Sequence, residues 1–407
     1  MTATLRTTSA AHRGRSVLVS GASLAGPALA YWLHRYGFEV TVVEKADTVR
    51  GGGYPIDIRG TALEVVRRMD LLPQLQQAHI DTRRLTFLNA DGGTIAALRP
   101  EAVSGGTGSD LEVPRGDLTR ILYAAVCEDV EFLFGDSVTA LDDRPEAVDV
   151  TFRSGTRRTF DLVVGADGLH SNTRRLVLGT EEQYHRYLGY CFAGFTMPNH
   201  LGLTQEAVLW NVPGRAAALY AVGAGEQVHG ILSFARTDPP LDAFRDPQAQ
   251  RDLVAETFRG DGWEVPRMVA AMQDADDLFF DVVSQIRTPR WSRGRVALVG
   301  DAAHAPSFLT GQGTSLALVG AYVLAGELAA HADHAEAYAA YERTARPYVT
   351  LNQDLVSEGN AALFPNTEET LRQRNAALRS LSELPADEPR AAHTALVLPD
   401  YEAAAAR

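Results

Sequence analysis

Gly21-Ala-Ser-Leu-Ala-Gly26 is the first segment whose residue types and spacing could serve chemistry. It follows a short apolar run at 16–20 and opens a stretch of helix formers that reaches about Arg35. Gly21 allows a tight turn, the small Ser23 lets backbone approach a pyrophosphate, and Gly26 lets helix and strand pack closely. The helix start offers free N–H groups and a partial positive charge to phosphates. Glu44 ends the next β-branched run, at 38–43, where a carboxylate can accept hydrogen bonds from a ribose. Ser23 stands where the usual dinucleotide fingerprint has glycine, so the strand, helix, strand and acid around it give the segment its meaning.

Two further segments join it. One is Asp161-Leu-Val-Val-Gly-Ala-Asp167-Gly168, followed by Ser171 and Arg174. The other is Gly300-Asp301-Ala-Ala-His304-Ala-Pro306, followed by Gly311-Gln312-Gly313 ahead of a long helix. Asp301 ends an apolar strand at the carboxyl edge of a sheet, where ligands bind in open α/β folds. Asp167 reads as a turn cap, a role compatible with ligand contact. His304 has the chemistry of an acid or base, although packing and hydrogen bonding on the turn is the simpler reading.

In this order and at this spacing, the three segments resemble the class A flavoprotein monooxygenases of the para-hydroxybenzoate hydroxylase fold, over about residues 16–358. The glycine-rich stretch with Asp57 and the helix start Arg115-Gly-Asp117-Leu118 resemble the branch that includes tetracycline-inactivating monooxygenases. The resemblance implies FAD, held by Gly21, Ser23, Leu24, Gly26, Glu44, Lys45, Asp57, Arg115, Asp167, Gly300, Asp301, Pro306, Gly311, Gly313 and Thr314. Asp301 would meet ribityl hydroxyls and Arg115 would lie over the flavin or its ribityl chain. Gly311 and Gly313 would back a flat ring, with the dipole of the next helix stabilising reduced flavin. Three positions depart from the family pattern: Ser315 stands for Asn, Gly320 for Asp, and the proline pair is shifted to Pro306 with Phe308. The activity implied uses NADPH or NADH and O2 to place one oxygen on a small aromatic or polycyclic molecule through a flavin hydroperoxide. Hydroxylation and Baeyer–Villiger insertion both stay open, as do natural-product tailoring and antibiotic inactivation. Gly223-Ala-Gly225 lies between two strand runs with no helix after it, so the nicotinamide donor is expected to bind transiently.

The elements that must position these residues suggest an α/β fold. It has a Rossmann-type FAD-binding domain (GR2, para-hydroxybenzoate-hydroxylase-like), a second mixed or antiparallel β-sheet substrate domain, and C-terminal helices. Residues 15–80, 100–183 and 286–365 form the first domain, 81–99 and 184–285 the second, 1–14 a disordered tail, and 366–407 a C-terminal helix and tail. Strands are expected at 130–141, 148–152, 160–164, 190–197, 207–210, 217–222, 228–234 and 295–299, with a hairpin at 85–98. Helices are expected at 61–69, after Pro114, at 246–273, 313–331 and 335–358, and beyond Pro365 to about 381. Residues 51–60 read as a glycine-rich loop and 99–110 as a mobile loop. The candidate substrate wall is Phe192, Phe195, Trp210, Tyr220, His229 and Phe234, each of which ordinary core packing would also explain.

Composition bounds the function. The 407 residues carry a formal net charge of −13, which repels nucleic acid and anionic membranes. Cys127 and Cys191 match no metal spacing and no disulfide framework, which fits a reducing cytoplasm. No metal is expected, and the chain is expected to be a monomer or a homodimer. Gly320, Gly326 and Glu327 interrupt the most apolar stretch, so it reads as a buried helix and not a membrane span. Halogenases of this fold use a lysine far from the FAD ribose and a two-tryptophan motif. The only lysine here, Lys45, follows Glu44, and the four tryptophans are scattered, which argues against halogenation. A flavin oxidoreductase without oxygenation and a non-catalytic flavin-binding sensor remain as alternatives.

Overall fold

The computed structural model describes residues 14–49, 51, 54–100, 102, 109–240, 242–244, 246–357, 363–381 and 390–402. Residues 1–13 of the expected tail, residues 101 and 103–108 of the loop expected at 99–110, and part of the chain after 381 lie outside these residues.

Apolar runs become the buried strands of a six-stranded sheet. Its order is Ser292–Arg293, Val296–Leu298, Leu162–Gly165, Ser16–Ser20, Glu39–Glu44 and Glu131–Phe134, and every neighbouring pair but the first is parallel. Val17, Leu18 and Val19 are fully buried, as expected of a parallel strand covered on both faces. The helices Ala25–Arg35 and Gly313–Ala330 pack together in the same core. Every residue from Thr314 to Ala329 is buried, so this helix, long and apolar enough to cross a membrane, is the centre of a protein core instead.

A seven-stranded sheet stands beside it in the order Phe279–Ile286, His185–Pro198, Gln227–Ala235, Arg215–Tyr220, Glu206–Val212, Arg84–Leu88 and Thr94–Leu98. All its pairs are antiparallel except the one that joins the 84–98 hairpin to Glu206–Val212. Side chains alternate between its faces. Cys191, Phe195, Trp210, Leu219, Leu232 and Phe234 fill one face and pack on the helices Pro247–Thr257 and Val265–Asp274.

Several elements differ from expectation. The run 130–141 is two strands in two sheets, broken at Gly135, where φ is +70°. The run 160–164 divides at Asp161, whose carboxylate accepts from the N–H and hydroxyl of Ser16. The helical stretch 246–273 is two helices, separated by a turn with Gly260 at φ +83° and Trp263 at φ +51°. Within the glycine-rich loop, Pro55–Ile58 forms an antiparallel ribbon with Leu111–Pro114. The edge strand Phe279–Ile286 was not anticipated. Its buried polar residues Ser284 and Gln285 erase the alternation that marks a strand.

The C-terminal segment 390–402 crosses the larger domain. Leu396 O accepts from Thr61 Oγ1 at 2.8 Å, Pro399 O accepts from the Tyr322 hydroxyl at 2.7 Å, and the Tyr401 hydroxyl donates to Glu327 at 2.7 Å.

Candidate active site

The turn after Ser16–Ser20 is set by sterics. Gly21 has φ +109° and donates its N–H to Val43 O at 2.7 Å. A Cβ on Gly21 would stand 2.5 Å from Ala166 O, and one on Gly26 would stand 1.8 Å from Gly21 O. Only glycine fits at either place. Glu44 is fixed at its strand end, accepting from Ala22 N at 2.9 Å and Ala46 N at 3.0 Å, while Lys45 beside it is exposed. Leu24 is the N-cap of Ala25–Arg35, and this helix start has no side-chain cap and no acid in its first turn. Arg115 begins the helix Arg115–Ala124 and donates from Nη2 to Ser23 Oγ at 3.0 Å.

The second and third segments meet the first. Ser171 caps the helix Asn172–Val177, accepting from Arg174 N at 2.9 Å, and Asp167 accepts from Thr173 N at 2.8 Å and Thr173 Oγ1 at 2.9 Å in the same first turn. Arg174 is fully buried and donates to Ala302 O at 3.0 Å, which binds the second segment to the third. A Cβ on Gly300, at φ +62°, would stand 2.9 Å from Ala25 Cβ, so the third segment touches the fingerprint helix. Asp301 is exposed at the start of a short helix. Protein crowding nevertheless pushes its carboxyl up to about 6, against the pull of Arg115.

Pro306 O accepts from Gln285 Nε2 at 3.0 Å, and Ser307 follows in a strained backbone conformation at φ +81°. Gly311 takes the left-handed conformation, with Asp57 Oδ2 3.2 Å from the place of a Cβ. Asp57 in turn pairs with Arg59 at 2.9 Å, and Arg59 N donates to Ser315 Oγ at 3.1 Å. Thr314 lies in the first turn of Gly313–Ala330, a second helix N-terminus with no side-chain cap and no acid. The nearest atom to a Cβ on Gly313 would be Asp301 Oδ1, at 4.0 Å. The Gln312 amide between the two glycines is fully buried, and neither its nitrogen nor its oxygen has a partner.

The candidate wall divides by face. Phe192 packs with Leu309 and Phe364, and its ring lies 4.8 Å from that of Phe308, so its face of the sheet meets the glycine loop. In cross-strand register, Thr196 pairs with His229 and His229 with Tyr220, which puts all three on the Phe192 face. Desolvation lowers the His229 pKa. Phe195, Trp210 and Phe234 belong to the opposite face, and the Trp210 Nε1–H is occupied by Ala90 O at 3.0 Å. These three are corrections: they are core residues and cannot line a site at the glycine loop. The signal was in the sequence, because Phe192 and Phe195, or His229 and Phe234, are an odd number of residues apart in one strand. His304 is 1% exposed, 4.6 Å from the Trp291 ring and 3.4 Å from the Tyr341 hydroxyl, which makes it a packing residue.

The residues present fit FAD. Two uncapped helix starts and Arg115 suit a pyrophosphate and an electron-rich ring edge, Glu44 and Asp301 suit hydroxyls, and the orphaned Gln312 amide lies in the glycine loop. Sequence reasoning missed Arg59 and Gln312, although both stood inside recognised segments, the glycine-rich stretch with Asp57 and the loop Gly311-Gln312-Gly313.

Comparison with known proteins agrees. The FAD binding domain family model matches residues 15–355. An uncharacterized protein of Mycobacterium tuberculosis (strain CDC 1551 / Oshkosh) is 44% identical over 84% of this chain and 93% of its own length. A flavin-dependent monooxygenase from an unknown prokaryotic organism is 36% identical over 95% of this chain and 99% of its own. The crystal structure of tetracycline destructase Tet(55) superposes with a TM-score of 0.82 at 35% identity, covering 96% of this chain and 99% of that one. The chain therefore belongs to the FAD-binding family of flavin-dependent monooxygenases.

Proposed function

We propose that this enzyme oxygenates a small aromatic or polycyclic molecule held between the loop Phe308–Gly313 and the sheet face that carries Phe192, Tyr220 and His229. The observation that carries the reading is the contact of that face with the glycine loop through Phe192, Phe308 and Leu309. FAD, when bound, supplies oxygen activation with electrons from NADPH or NADH. The chain supplies position. Gly21, Ser23, Leu24, Gly26 and Arg115 would hold the pyrophosphate, Glu44 and Lys45 the ribose end, and Asp167 and Asp301 the hydroxylated chain. Asp57, Gly300, Pro306, Gly311, Gly313 and Thr314 would back the ring. In this reading, residues 15–80, 100–183 and 286–365 serve FAD, residues 81–99 and 184–285 serve the substrate, and residues 366–407 are a C-terminal helix and tail. The free thiols of Cys127 and Cys191 support a cytoplasmic setting. The similarity to a tetracycline destructase points to tetracycline-like ring systems, and natural-product tailoring is the other role considered. The test is a screen of aromatic and polyketide compounds, tetracycline among them, for stimulated NADPH consumption with a gain of one oxygen by mass spectrometry. Protein that shows no flavin absorbance after FAD addition, or that turns over little with every compound, overturns the reading.

A further inference from the structure

The helix His334–Asp354 turns one face to the core, through Ala337, Tyr341, Ala345 and Tyr348. On its other face Ala335, Ala339, Arg343, Pro347 and Leu351 recur at four-residue spacing, and Leu351 is 50% exposed. The turn Arg290–Gly294 stands across from that face. Between the two walls lies a groove of about 1060 Å³. Ala335, Tyr338, Ala339, Pro347 and Leu351 supply its apolar lining.

Arg290, Arg293, Arg343 and Arg346 also line the groove, and Glu342 is the one acid among its lining residues. Glu342 is already engaged, accepting from Trp291 N at 2.5 Å and from Arg346 Nη2 at 2.6 Å. Arg346 is engaged as well: it lies 4.4 Å over the Trp291 ring and donates to Thr288 O at 3.1 Å. Arg293 donates to a carbonyl, Val177 O, at 3.1 Å. Arg290 and Arg343 are exposed, with no hydrogen-bonded or ion-paired partner among the described residues. Three guanidiniums thus stand without a carboxylate beside an apolar strip, on a chain whose formal net charge is −13.

Shape and charge together choose an occupant. Residues 335 to 351 span about 24 Å of helix, and a second helix about 10 Å wide, sunk to half its depth over that length, fills about 900 Å³. The groove has room for it. A flat anionic bilayer does not enter a concave strip, and the net charge of the chain repels one. Two-fold pairing of two copies through the groove would set arginine against arginine.

We propose that this groove docks an acidic amphipathic helix of a partner protein. The apolar stripe of that helix lies on Ala339, Pro347 and Leu351, and its flanking carboxylates meet Arg290, Arg293 and Arg343. Tyr341, on the core face of the same helix, lies 3.4 Å from His304 of the third segment. The partner therefore docks behind the flavin site, and the inference stands apart from the oxygenation reading.

The experiment uses the full-length, FAD-loaded protein and a fluorescein-labelled helical peptide of 18 residues, built from leucine, alanine and glutamate with the acids flanking a leucine stripe. Fluorescence anisotropy follows binding. Wild-type protein should bind this peptide at least about 10-fold more tightly than a scrambled peptide of the same composition, and added salt should weaken the binding. The double variant Arg290→Glu with Arg343→Glu, and separately Leu351→Asp, should each lose about 10-fold or more in affinity. Arg346 is left in place because it packs on Trp291. FAD content, thermal melt and turnover should stay at wild-type values in all variants. Absence of binding to wild type, equal binding of the scrambled peptide, or undiminished binding by the variants overturns the proposal. Wild-type dimers in sedimentation velocity that the double variant dissociates would overturn it in favour of a second copy. Binding of wild type but not the double variant to phosphatidylglycerol vesicles, without peptide binding, would overturn it in favour of a membrane.

Discussion

Arg115 Nη2 donates to Ser23 Oγ at 3.0 Å, which ties the start of one helix to the turn that opens another, 92 residues earlier. The guanidinium is therefore held beside an uncapped helix N-terminus, where a pyrophosphate would find both a fixed cation and free N–H groups.

Replacing Arg115 with Ala should weaken FAD binding about 10- to 100-fold, the loss of about 1.5–3 kcal/mol expected for a charge-assisted hydrogen bond. Titration of apoprotein with FAD, followed by flavin fluorescence, measures it. Unchanged affinity would remove Arg115 from the cofactor site.

Gly26→Ala puts a methyl group 1.8 Å from Gly21 O, a backbone atom that cannot swing away. The helix must shift from the strand, so the expected cost is about 1–3 kcal/mol together with most of the bound FAD. Thermal melts and the flavin-to-protein absorbance ratio report both effects.

His304 tests structure against chemistry. Burial lowers its pKa to about 3, so the folded state holds it neutral. A depressed folded pKa gives stability that is present above the ordinary histidine value near 6.5 and is lost as pH falls toward 3. His304→Gln should flatten this part of the acid-denaturation curve and leave turnover per FAD-loaded molecule near wild type. A large fall in turnover without loss of FAD would instead return His304 to the chemistry.

The two faces of the seven-stranded sheet should answer mutation differently. Trp210→Ala opens a cavity in a filled core and should cost about 3–5 kcal/mol in a denaturant melt. His229→Asn should leave the melt within about 0.5 kcal/mol and move KM or product pattern. If Trp210→Ala spares stability but alters substrate choice, the assignment of faces is wrong.

The sequence made the cofactor turns legible because strict sterics act over a few residues. Gly21, Gly26 and Gly300 each sit where a side chain would strike neighbouring atoms. The wall was half legible: aromatic type alone chose the candidates, and parity along the strand would have removed Phe195 and Phe234. The edge strand Phe279–Ile286 stayed hidden because its buried Ser284 and Gln285 look solvated in a linear reading. The Asp57–Glu112 pairing was out of reach, since a ribbon joins residues 55 and 58 to 111 and 114 across a separation that no local pattern spans.

The central sheet is assembled from distant parts: Ser16–Ser20 pairs with Leu162–Gly165, which pairs with Val296–Leu298. At ribosomal speeds of about 5–20 residues per second, the third of these strands emerges roughly 15–60 s after the first. Until then the nascent chain carries an unfinished parallel edge and a cofactor turn with half its floor missing. Yield in a foreign host should therefore depend on chaperone supply and flavin availability during translation, well before any catalytic property matters.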